Sequence, residues 1–328
     1  MRVPPGLLFR FCLGLLLGTV ALALISNLSV LRGKPLLPET TAVRSPSQPL
    51  RFVIVAPQSD HPFWEAVRDG ARQAAGGRSI DVEFSGPRRA SLEEQANLLH
   101  MATAAQVDGI ITQGVPEDPQ IAEAIYRAID TGIPVVTVDV DQPLLAGRTN
   151  SRLTYIGSDN YAAGRAMAEE LIRRSGGKAD VGIVRGGLGS GEHDLRVQGF
   201  RDRLAVEPGI RIVAVESSGM NRTVAAEKAL QMKDRATAFY GTTALDAVGI
   251  AHALRPEPSR RRLVFGFDDV ADAEEYLLRG QITAVIHQEP EEMGRSAVTV
   301  LEDYLREDKR PDAFIHTPFS IRRGGDGR

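Results

Sequence analysis

Carboxylates that follow apolar, β-branched runs are the most chemically suggestive side chains of this 328-residue sequence. Asp139 and Asp141 come directly after Val135-Val136-Thr137-Val138, and Asp268 and Asp269 after Val264-Phe265-Gly266-Phe267. An ionised carboxylate only accepts hydrogen bonds, so in this position it either takes paired hydroxyls or caps a loop. Two acids on facing loops are also the minimum equipment of a glycosidase. Aromatic residues make up only 5% of the chain, yet Phe63 and its one tryptophan, Trp64, are adjacent in Asp60-His61-Pro62-Phe63-Trp64. Such a pair can form a flat apolar wall against the C–H face of a ring-shaped polar ligand. On this fragment alone, a hydrophobic staple at a helix start accounts for it equally well.

Other chemistries find little support. The six histidines never fall into HxxxH or HExxH spacing, and no serine sits in GxSxG. Cys12 is the single cysteine, which excludes an intramolecular disulfide and any CxxC site. The loop Gly186-Gly187-Leu188-Gly189-Ser190-Gly191 follows an apolar strand but lacks the Lys-Ser/Thr of a P-loop and the third glycine of a dinucleotide fingerprint. Glu291 and Glu292 are read as solvated acids favoured at a helix start. The sequons at Asn27 and Asn221 are read as chance matches. A net charge of -3 supplies no field that would gather nucleic acid. No metal and no cofactor is implied.

These residues need a scaffold, and the length fits two domains of ordinary globular composition, 43% hydrophobic and 25% charged. Ahead of that scaffold, Arg2 and Arg10 flank the start of an apolar run over 11–25, which reads as an export signal. Extended to Leu31 the run just reaches spanning length, so residues 1–31 are either a cleaved signal peptide or an uncleaved anchor. Residues 32–50, with Pro35, Pro38, Pro46 and Pro49, form a tether. The folded part then lies outside the cytoplasmic membrane, in the periplasm or at the exterior of the cell envelope.

From Arg51 onward strands and helices alternate. The pattern predicts strands at 52–56, 80–84, 109–112 and 134–138, with helices at 62–75, 91–105 and 119–130 between them. It restarts after Tyr155-Ile156-Gly157. Helices are then predicted at 159–174, 194–204, 223–232 and 245–254, and strands at 181–184, 210–215, 237–240 and 263–267. A final strand, helix and strand cover 282–286, 290–305 and 314–321. Alternation of this kind specifies parallel strands with helical crossovers, hence α/β halves with doubly wound sheets. Ligands bind such sheets beyond the carboxyl ends of their strands. The four acids, the ring pair and Arg196 all lie there.

Over 51–322 the chain resembles the ribose-binding-protein-like periplasmic proteins, the type I fold shared with LacI-like ligand domains. The motifs run in order: Asp60-His61-Pro62-Phe63-Trp64 with Asp69-Gly70-Ala71; Gly132-Ile133-Pro134-Val135-Val136 before Asp139; Ile156-Gly157-Ser158-Asp159-Asn160 before Gly164; Arg196-Val197-Gln198-Gly199-Phe200; Gly266-Phe267-Asp268; Ile286-His287-Gln288-Glu289-Pro290 with Met293-Gly294. An export leader stands where a repressor would carry its DNA-binding module. The resemblance implies two Rossmann-like lobes joined by three crossings, near 156–158, 287–289 and 317–318. One lobe would comprise 51–155 plus 289–316, the other 156–288 plus 317–328.

It further implies a stacking pair, Phe63 and Trp64, and a hydrogen-bonding set of Asp139, Arg196, Asp268 and Gln288. His61, Asp141 and Thr243 complete the candidate site. His61 stands where the ribose binder has Asn, Val140 where it has Arg, and Thr243-Ala244 where it has an Asn-Asp pair. A third ring, expected near Met220, is absent. Those losses point away from ribose and leave a polyhydroxylated ligand. The expectation is therefore a monomeric, non-enzymatic solute receptor that takes a small sugar or polyol to an ABC permease. The alternative keeps the fold and signals to a membrane sensor kinase.

Overall fold

A computed structural model describes residues 49–187, 191–254 and 262–324. The leader, Cys12, most of the tether and Leu188-Gly189-Ser190 of the glycine-rich loop lie outside the described residues. Among the described residues no helix is long and apolar enough to cross a membrane.

The first sheet takes β1 (Leu50–Val55), β2 (Ile80–Ser85), β3 (Gly109–Thr112), β4 (Val135–Val138) and β5 (Thr154–Ser158), with α1 (Pro62–Ala75), α2 (Leu92–Ala104) and α3 (Pro119–Asp130) between them. The chain continues through α4 (Asn160–Ser175), β6 (Ala179–Arg185), α5 (Gly191–Leu204), β7 (Ile210–Ser217), α6 (Arg222–Met232) and β8 (Ala238–Gly241). Next come α7 (Ala244–Ala253), β9 (Leu263–Phe267), α8 (Ala271–Leu278) and β10 (Ala284–Gln288). It closes with α9 (Pro290–Glu307), β11 (Phe314–Thr317) and β12 (Phe319–Arg323).

The strand orders are β11-β5-β4-β3-β1-β2 and β12-β10-β9-β8-β6-β7, so the second sheet repeats the first with every number advanced by five and β12 in place of β11. All pairs are parallel except the antiparallel β10–β12. This is the expected pair of doubly wound sheets. Continuous apolar strands such as Phe52-Val53-Ile54-Val55 are buried on both faces because helices cover both. In the first sheet α1 and α9 seal one face and α2 and α3 the other. In the second, α4 and α5 seal one face and α6, α7 and α8 the other.

Three details differ from the sequence expectation. Helix α5 begins at Gly191, a turn earlier than 194. The short α8, which has no side-chain cap, was not anticipated. The stretch 314–321 is two strands, one in each sheet, because Pro318 lacks an N–H for a ladder and breaks the run.

Cover is exchanged between the halves. Helix α4 follows β5 of the first sheet yet packs on α5 of the second; α9 follows β10 of the second yet packs on α1 of the first. Both contacts need glycine. A Cβ on Gly70 would stand 1.9 Å from the carbonyl oxygen of Glu291, and one on Gly294 would stand 1.9 Å from that of Val67. At the other crossing, a Cβ on Gly164 would lie 2.1 Å from the oxygen of Arg196, and one on Gly199 would lie 2.0 Å from that of Tyr161. The glycines of the motif series are therefore places where helix backbones touch. Strand β12 is pinned to α4 by Glu170, whose nearly inaccessible carboxylate meets Arg173, Arg174 and Arg323. Burial pushes that carboxyl up, but the three guanidiniums outweigh it and bring it down to about 2. Its stabilising effect is present at neutral pH and is lost only as pH falls through that value.

Gly294→Ala should lower the unfolding free energy by about 2 kcal/mol or more, because backbone rather than a flexible side chain must give way. Urea denaturation of the two proteins checks this, and an unchanged midpoint would contradict the close approach.

Candidate functional site

The site forms where both sheets end. Asp139 follows β4 and Asp268 follows β9, equivalent positions in the repeated order. Both adopt left-handed backbone, φ 69° and 63°, at a cost of about 1 kcal/mol each for a residue with a Cβ. Each is held by the adjacent strand: the Asp139 N–H donates to the Ile156 oxygen at 3.1 Å, and the Asp268 N–H to the Ile286 oxygen at 2.8 Å. The turns aim both carboxylates at one side chain, Gln288. Its Nε2 donates to Asp268 Oδ1 at 2.9 Å and to Asp139 Oδ1 at 3.4 Å, while its Oε1 accepts from Ser158 Oγ at 2.7 Å. Ser158 ends β5 and Gln288 ends β10, so one amide ties the two crossings to an acid from each sheet. The neighbouring pair faces the other way. His287 Nδ1 lies 2.8 Å from Asp269, which also pairs with Arg322 on β12.

Arg196 lies one turn into α5 and is 5% exposed. Its Nε donates to Asn160 Oδ1 at 2.7 Å, its Nη1 to the Thr242 carbonyl at 2.8 Å, and its guanidinium lies 3.3 Å from the centre of the Phe267 ring. It forms no ion pair with Asp139 or Asp268, but its field reaches both. Burial pushes the Asp139 carboxyl up to about 7; Asp268 and Glu192 push the same way, and Arg196 and Gln288 oppose them. Asp268 is likewise raised, by burial first, with Arg196, Gln288 and His61 acting against the rise.

The structure thus brings together Asp139, Arg196, Asp268 and Gln288, with His61 near enough to influence Asp268. Three other candidates have different employment. Asp141 takes a two-pronged ion pair from Arg152, at 2.5 and 2.6 Å, and also accepts from Thr137 Oγ1 and the Gln142 N–H. Those contacts tie the post-β4 loop to its own strand and leave that carboxylate occupied. Thr243 caps α7 by accepting the Asp246 N–H at 3.1 Å. Trp64 is 3% exposed and packs in the core with Val67, Ala71 and Met293. It backs Phe63 edge-on, with ring centres 5.9 Å apart, and Phe63 is half-buried against the same core. The anticipated two-ring wall is therefore narrowed to Phe63.

Sequence reasoning passed over Ser158 and Asn160 as site groups, together with Glu192 and Thr242. Asn160 entered only as a motif residue at the start of α4. The cap is Asp159, which frees the Asn160 amide for Arg196. An open groove along α3, lined by Pro119, Tyr126, Leu145 and Arg148, includes none of these residues.

The model of the periplasmic binding protein domain family matches residues 52–309. The D-allose-binding periplasmic protein of Escherichia coli is 24% identical over 261 residues, covering 77% of this chain and 83% of its own. The ribose import binding protein RbsB of Salmonella typhimurium is 22% identical, covering 79% and 86%. Among solved structures, GanP, a glucose-galactose binding protein from Geobacillus stearothermophilus, is 39% identical with a TM-score of 0.75, covering 85% of this chain and 99% of its own. A XylFII-LytSN complex is 32% identical with a TM-score of 0.68, covering 86% and 100%.

The raised Asp139 carboxyl gives a signed prediction. Its folded pKa exceeds the ordinary aspartate value, so the stability it leaves is greatest below about pH 4 and falls as pH rises through about 7. Asp139→Asn should therefore stabilise the ligand-free protein at pH 8 by about 4 kcal/mol and by less than half of that at pH 5. Melting temperatures of both proteins across this range test it; a gap that does not change with pH would contradict the burial of this acid.

Proposed function

This chain belongs to the periplasmic binding protein domain family, and on that premise we propose that it captures a small neutral sugar or polyol outside the cytoplasmic membrane and delivers it to an ABC permease. The observation that carries the reading is the meeting of Asp139 and Asp268, one from each sheet, on the single amide of Gln288. Two carboxyl groups at the mouths of two sheets suit the vicinal hydroxyls of a polyol. Phe63 offers a ring face on the first sheet's side, and Arg196 a fixed donor on the second's. The relatives named above are sugar-binding and import-binding proteins, which agrees with binding rather than turnover.

In this reading residues 51–155 with 289–316, and 156–288 with 317–328, move as two lobes, and closing them on the ligand is the event the permease reads. The bound ligand replaces the amide between the two carboxylates. A second reading, signalling to a membrane sensor, has one specific support: XylFII, of the same fold, has been solved bound to another protein, LytSN. Uptake that survives deletion of this protein while ligand-induced transcription disappears would favour that output.

The direct test is calorimetry and thermal shift on the region from residue 50, with D-glucose, D-galactose, D-allose and D-ribose. A binder at 100 times its Kd adds about 2.7 kcal/mol of stability. Asp268→Asn and Phe63→Ala should remove most of that gain. Trp64→Ala should instead destabilise the unliganded protein by about 3 kcal/mol or more, as a core truncation does. Absence of any sugar-dependent shift, or hydrolysis of chromogenic glycosides abolished by Asp139→Asn, would overturn the receptor reading.

A further inference from the structure

His193 occupies the first turn of α5, three residues before Arg196 and therefore on the same helix face. Its ring is packed so closely against Gly186 that a Cβ there would stand 2.5 Å from His193 Cε1. Its Nδ1 accepts the Gly187 N–H at 3.1 Å. An acceptor nitrogen carries no proton, so this bond fixes the neutral tautomer with hydrogen on Nε2. Burial, together with the fields of Arg196 and Arg185, lowers the imidazole to about 3, so the ring stays neutral at ordinary pH. The residue is half-buried, and among the described residues Nε2 has no partner. The turn that carries it faces the opposite sheet's loops: the adjacent Glu192 accepts the Asp141 N–H at 3.4 Å.

The first sheet contains a counterpart. His61 precedes α1, the helix that follows β1, as α5 follows β6 in the repeated order. Its Nδ1 likewise accepts a backbone N–H, that of Phe63 at 3.3 Å, and its Nε2 has no partner among the described residues.

We infer that His193 is a ligand-reading residue, a neutral Nε2–H donor presented to the seam from the second sheet's side opposite His61, and that it selects ligands carrying an acceptor oxygen at that point. The inference rests on the receptor reading. It sets one fixed uncharged donor, His193, beside the carboxyl groups of Asp139 and Asp268. A fixed neutral donor favours a hydroxyl or ring oxygen; a protonated one would favour an anion.

The test separates the two nitrogens. His193→Asn keeps an acceptor where Nδ1 sits and removes the distal donor, whereas His193→Gln keeps a donor near Nε2 and gives up the hold on Gly187. With the tightest sugar of the panel above, calorimetry should show His193→Asn weakened about tenfold at an unchanged unliganded melting temperature, and His193→Gln closer to wild type. In a series of single-deoxy analogues of that sugar, one member should lose about tenfold on wild type and almost nothing on His193→Asn. The opposite order, with His193→Asn tight and His193→Gln weak, would make His193 a loop clasp and overturn the inference while the receptor reading stands. If no sugar binds wild type, both fall together.

Discussion

A primary amide has two hydrogens to give and one oxygen to receive with, and Gln288 uses both ends at the place where the two sheets meet. Its oxygen receives Ser158 and its nitrogen gives to an aspartate from each side. Neither carboxylate forms an ion pair with a cation among the described residues, and both are raised by burial. The amide is the group that makes their proximity tolerable. Everything else in the seam is arranged around that constraint: the left-handed turns that aim the acids, the deep placement of Arg196, and the crossings that bring Ser158 and Gln288 together.

The repeat explains why those groups converge. Advancing each strand by five maps Asp139 onto Asp268 and the end of β5 onto the end of β10. The two halves keep the same backbone device, a strained aspartate whose N–H is held by the next strand, and differ in what stands behind it. Behind Asp139 is the Asp141–Arg152 pair that ties down its own loop. Behind Asp268 is Asp269, turned to His287 and Arg322 on the outer face. A shared geometry thus carries one inward acid per half, while the second acid of each pair serves its own neighbourhood.

Much of this was legible in the sequence because period and position carry physical meaning. Apolar β-branched runs alternating with capped helices specify the sheets, and acids beyond those runs had to lie at the sheet mouths. Trp64 was also decidable: with Val67, Ala71 and Ala74 it follows the buried stripe of α1, whereas Phe63 falls off that stripe. Asp141 was not decidable, since its partner Arg152 lies beyond an irregular loop and no spacing rule joins them. Thr243 reads as a ligand group by alignment with a motif but behaves as the helix cap its type favours. Glu192 and His193 were obscured because the glycine-rich loop delayed the expected start of α5. Helix α8 is only about two turns long, too short for a periodicity to stand out.

The exchange of α4 and α9 between the halves bears on how the molecule comes to exist. The side of the first sheet lined by Trp64 and Val67 is roofed by residues 290–307, and its edge by 314–317. Those segments are synthesised long after the strands and helix they cover. Until then the earlier half is an open-faced layer with greasy side chains uncovered, unable to finish on its own. Completing the first half therefore rests on contacts distant in sequence, which slow folding and leave apolar surface uncovered until they form.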